Sequence, residues 1–138
     1  MTFKTLLITI FALVFVLMSG RSSAQPRPTL VEVWCGGDDG LTIRLRDAVE
    51  HAFSTSPDFQ MSSGKLSGTL LVTIPTHVEW KRAGKKTRVL YRIDLSVVDG
   101  KNFGEKTGAC WDDDLQICSK SIVKDSRNAL HKGKGHPH

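Results

Sequence analysis

The chain has 138 residues, with 19 Lys and Arg against 14 Asp and Glu and a formal net charge of +5 at pH 7. That length holds one domain around a single core and excludes two. The basic excess is mild and concentrated in short runs, so no nucleic-acid partner is expected.

The amino terminus reads as a secretory leader. Lys4 supplies a positive start, Leu6 to Met18 is apolar apart from Thr9, and Ser22-Ser23-Ala24 offers small residues at a cleavage site. Cleavage near Ala24 is expected. The apolar run falls short of the roughly 20 residues that a spanning helix needs. No cysteine follows the site to carry a lipid. The expected product is a periplasmic or secreted chain without stable membrane insertion. It consists of a single domain over residues 25–130 and a His/Lys/Gly tail over 131–138, which has nothing large and apolar to pack and is expected to be disordered.

Past the lead-in, Thr29 to Trp34 is β-branched and apolar and predicts a first strand. Gly36-Gly37-Asp38-Asp39-Gly40 breaks it and offers capping carboxylates to a helix in which Leu41, Leu45, Ala48, Val49, Ala52 and Phe53 recur at helical spacing. Ser54 to Gly68 is a polar connection with room for a short strand. Leu70, Val72, Ile74, Val78 and Trp80 share one face of a second strand, in which Pro75 implies an edge or a bulge. After a turn around Gly84, Val89, Tyr91, Ile93, Leu95 and Val97 alternate with polar residues in the clearest strand of the chain. Asp99-Gly100 turns it into a returning strand over Phe103 to Ala109. Asp112-Asp113-Asp114 then offers caps for a last helix whose inner stripe is Leu115, Cys118, Ile122 and Ala129.

The order β-α-β-β-β-α predicts an α+β two-layer sandwich, a mostly antiparallel sheet with both helices on one face. Three cysteines allow one internal pair and leave one over. Cys35 shares the core-facing parity of Val31 and Val33, and Cys118 lies on the inner stripe of the last helix, so Cys35 with Cys118 is the expected disulfide. Cys35 with Cys110 is the alternative. Cys110 with Cys118 requires a sharp reversal at the helix start.

The helix from Leu41 to Phe53, the Ser-Pro-Asp-Phe that follows it, the hairpin and the Leu-Ser-Val-Val-Asp-Gly-Lys turn together resemble a known layout. It is that of the amino-terminal domain of the TolB translocation protein and of the related periplasmic modules in curli-secretion and penicillin-binding-protein-activator lipoproteins. The matching positions are Phe59 to Met61 and Val98 to Lys101, while the β-propeller and lipid-bearing cysteine of those families have no counterpart here. The resemblance implies an envelope module that recognises proteins and has no catalytic residues to transfer.

The residues themselves point the same way. Asp38, Asp39, Asp112, Asp113 and Asp114 suit helix capping better than a calcium site or a glycosidase pair, whose spacing they lack. His51 and His77 read as surface residues without a nucleophile. The tail histidines suit at most weak transition-metal binding, and no cofactor is expected. The run Lys81-Arg82-Ala83-Gly84-Lys85-Lys86 reads as a solvated loop, with contact to lipid headgroups or polyanionic glycans as its functional alternative. Trp34 has the outward parity of Leu30, and with Leu90 these residues are the candidate partner-binding strip on an uncovered sheet face. The expectation is a non-enzymatic binding or accessory protein that contacts an envelope protein, or a second copy of itself as a homodimer, through that face. A metal- or glycan-binding protein and an immunity or inhibitor protein are the alternatives.

Overall fold

A computed structural model describes residues 26–134. The expected leader and the tail histidines His136 and His138 lie outside that range.

Strand β1 (Thr29–Cys35) buries Val31 and Val33 on one face and turns Leu30, Glu32 and Trp34 to the other. Helix α1 (Gly40–Ser54) begins where predicted: the Asp39 side chain accepts from the Thr42 backbone N–H at 3.1 Å, and Leu45, Val49 and Phe53 form the buried stripe. Strand β2 (Phe59–Met61) is the short strand that the connection had room for. Phe59 meets Phe53 edge-to-face with ring centroids 4.9 Å apart. Strands β3 (Leu70–Ile74), β4 (Glu79–Ala83), β5 (Lys86–Val97) and β6 (Asn102–Trp111) follow, and helix α2 (Leu115–Gly133) closes the chain. Because α2 runs to Gly133, residues 131–133 of the expected tail are helical, and residues 135–138 lie outside the described range.

The fold is the α+β sandwich that the pattern predicts: two helices on one face of a six-stranded sheet. Strand β1 lies parallel to both β2 and β3, and the remaining pairings are antiparallel. Strands β3 and β4 share one edge of β5, and β6 takes the other. What read as one strand from Leu70 to Trp80 is therefore two. Between the pairs Thr73–Asp94 and Glu79–Leu90, residues 74–78 face only 91–93, so the chain bulges around Pro75, which has no N–H for the ladder. Beyond the bulge the helices still cover Val89 of β5 but not the edge strand β4, whose five residues are all exposed. Trp80 keeps the face of Val89, its register partner, yet is 62% exposed.

The disulfide joins Cys110 to Cys118, with Cα atoms 5.6 Å apart, which corrects both expected pairings of Cys35. Parity placed each cysteine on the right face but said nothing about its column in the sheet. Cys35 ends β1 and Cys110 ends β6, with the β3 and β5 columns between them. At about 4.8 Å per step that is far beyond disulfide reach. The reversal that Cys110–Cys118 requires is supplied by a tight turn in which Asp114 N–H donates to the Trp111 carbonyl at 3.0 Å. The first turn of α2 thereby lies directly over the end of β6. Cys35 is free and half-buried, its thiol donating to the Gly37 carbonyl at 3.1 Å.

Candidate functional site

The polar residues with the most connected surroundings lie at the carboxyl ends of β1 and β3. Because these strands are parallel neighbours, the segments that leave them emerge side by side, and Gly36 N–H donates to the Ile74 carbonyl at 2.7 Å. Gly36 lies so close to Pro75 that a Cβ there would overlap its carbonyl oxygen. This brings Asp38 and Asp39, from the first segment, against His77 from the second. His77 Nδ1 bonds Asp39, and Nε2 faces Asp38 at 3.7 Å. The Thr42 hydroxyl donates to Asp39 at 2.5 Å and accepts from Val78 N–H at 2.9 Å. The hydrogen bonds from Thr42 and His77 hold the Asp39 carboxyl down at about 2, and the Asp39 bond raises the His77 imidazole above its usual value.

Chemically the cluster is half of a relay, a histidine oriented by a carboxylate. The missing half is a nucleophile. The Thr42 hydroxyl is committed on both sides, and the far ring nitrogen faces a second carboxylate. Asp39 also fills the amino terminus of α1, where an anion would otherwise bind. The cluster fastens a helix start to the bulge. His77 was read from the sequence as an isolated surface residue, and its partner lies 38 positions away.

The other aspartates do not join it. Asp112 accepts from Thr87 N–H at 3.2 Å, Asp113 pairs with Lys86 at 3.4 Å, and Asp114 takes the N-cap position of α2 without a side-chain cap bond. Among the described residues no group of three or more His, Cys, Asp or Glu side chains is placed to hold a metal ion. Between the helices a groove of about 520 Å³ has Ala48, Ala52 and Val123 in its lining, with His51 and Arg127 also beside it. Arg127 is engaged by Asp58 at 2.6 and 3.0 Å.

The three residues expected to form a strip all lie on the uncovered sheet face. Leu30 and Leu90 are half-buried there, and Trp34 is 45% exposed. The three do not form one apolar band. Trp34 pairs with Thr73, Thr73 with Asp94 and Asp94 with Glu105, so polar side chains and Arg92 separate Trp34 from Leu90. Trp34 is instead the centre of its own cluster. Its indole N–H donates to Glu32 at 2.7 Å, and the other Glu32 oxygen accepts from Lys65 N–H at 2.9 Å. The Lys65 ammonium stands 4.0 Å from the ring centroid. Lys65 takes the left-handed backbone conformation, φ 46°, in the turn that brings it there. Across the face Arg92 pairs with Glu105 at 3.5 Å. Next to that pair a hollow of about 530 Å³ opens beside the bulge, with His77, Glu79 and Leu90 in its lining.

No family model matches the chain, and no curated protein matches it. A solved structure described as "Crystal structure of uncharacterized protein" aligns with a TM-score of 0.44 at 16% identity, over 78% of this chain and 94% of that one.

Proposed function

We propose that this chain is an exported, non-enzymatic binding protein of the cell envelope that docks a protein partner on the uncovered face of its sheet. The observation that carries the reading is Trp34, a large aromatic residue half in solvent near the end of β1 on a face that no helix covers. Its surroundings suit a protein surface. Glu32 and Lys65 contact it directly, and Arg92, Asp94 and Glu105 lie across the sheet on the same face, a mixed-sign polar surface beside an aromatic anchor. A disulfide fits an oxidising compartment, and no helix among the described residues is long and apolar enough to cross a membrane. The resemblance to TolB-type modules agrees with this reading.

The test compares the wild type with Trp34→Ala in partner recovery from an envelope extract and in sedimentation of the isolated protein. A buried tryptophan anchor contributes about 2 kcal/mol or more, so the variant should bind roughly 30-fold more weakly while its circular dichroism is unchanged. Loss of self-association in place of a foreign partner identifies the occupant as a second copy. Unchanged recovery and unchanged oligomer size would refute the reading.

A further inference from the structure

A second surface lies where the β4–β5 hairpin extends past the helices. All five residues of β4 are exposed. The segment from Glu79 to Leu90 contains Lys81, Arg82, Lys85, Lys86 and Arg88 against the single acid Glu79. Lys86 pairs with Asp113 at 3.4 Å, an exposed pair of small worth. The other four cations have no carboxylate within salt-bridge distance among the described residues.

The register distributes these groups over both faces. Lys81, Arg88 and Trp111 stand in one row on the uncovered face, with Arg88 and Lys86 5.7 and 5.8 Å from the Trp111 ring centroid. Trp80 and Arg82 point to the opposite face. The arm is therefore cationic on two sides and at its tip, with one tryptophan on each side near its base. Where the Trp34 cluster mixes signs, this arm carries nearly one sign, and one sign selects an anionic partner.

A flat bilayer meets only the tip. Trp80 stands four residues before Gly84 and Trp111 is level with Arg88, four residues after it, roughly 13 Å from the tip, which exceeds the headgroup layer of about 5–7 Å. The tip also has no apolar side chain larger than that of Ala83 to enter hydrocarbon. Single-stranded nucleic acid stacks successive bases on a shared platform, and aromatic rings on opposite faces do not provide one. A chain of charged sugar rings pairs with cations along its length and needs no two rings stacked on one platform. We propose that the β4–β5 hairpin binds an acidic polysaccharide, whose carboxylates or sulfates pair with Lys81, Arg82, Lys85 and Arg88 and whose sugar rings lie on Trp80 and Trp111.

Heparin serves as the probe, in titrations from about 50 to 200 mM salt, the range over which counterion release is readily measured. The variant Lys81→Ala/Arg82→Ala/Lys85→Ala should bind at least about tenfold more weakly, with its salt slope reduced by about 2–3. Trp80→Ala, at an exposed position, should weaken binding about fivefold and leave the slope unchanged, since stacking releases no counterions. Trp34→Ala should leave heparin affinity intact, which separates this surface from the protein-docking face. Absence of heparin binding, an unaltered triple variant, or tighter binding to anionic phospholipid vesicles or to oligo(dT) would overturn the assignment.

Discussion

Thr42 shows how much one side chain can hold. It is buried, and its hydroxyl joins Asp39 at 2.5 Å to Val78 N–H at 2.9 Å, so helix α1, the loop before it and the bulge meet at one oxygen. Replacing it by valine keeps the volume and strands a buried backbone donor, which costs about 1–3 kcal/mol. Urea unfolding of Thr42→Val should show that loss, whereas Thr42→Ser, which keeps the hydroxyl, should lose about 1 kcal/mol. The sequence showed Asp39 as a capping residue but gave no sign of the Thr42–Val78 bond, because capping is local and that bond depends on which strands are neighbours.

At the scale of elements, the β3–β4 bulge and the start of α1 are held together by His77 and Asp39, which makes their junction sensitive to pH. The His77 value is raised in the folded protein, so its contribution is complete below the unfolded value of about 6.5 and fades as pH rises through the higher folded value. Asp39 falls to about 2 from 3.8, so its contribution is complete above pH 3.8 and fades as pH drops toward 2. The thermal midpoint should therefore be highest in mildly acidic solution and decline above neutrality. His77→Gln should flatten the decline, and an equal slope in that variant would remove the junction as its cause. The elements themselves were largely legible. The alternation of Val89 to Val97 and the spacing of Leu45, Val49 and Phe53 each report one buried face, and the structure places both as read. The face of Trp80 was legible and its exposure was not, because a two-residue period gives the face of a strand and not how far the covering helices extend across the sheet.

For the molecule as a whole, the parallel pairing of β1 with β3 sets most of what the sequence left open. It sends β1 away from β6, separates Cys35 from the other two cysteines, and brings His77 to the aspartates. The Cys110–Cys118 bond spans a sequence separation of 8. Closing so short a loop accounts for about 2–3 kcal/mol of stability. Reduction should lower the unfolding free energy in urea by that amount while leaving far-ultraviolet dichroism in place, and an unchanged midpoint would contradict it. The shortness of that loop also bears on how the chain is oxidised. Segments of this length meet within tens of nanoseconds, long before β1 and β3 can align across the chain. The native pair is thus the one a still unfolded chain samples most often, and Cys35 is the thiol that disulfide formation leaves behind, with no need for reshuffling.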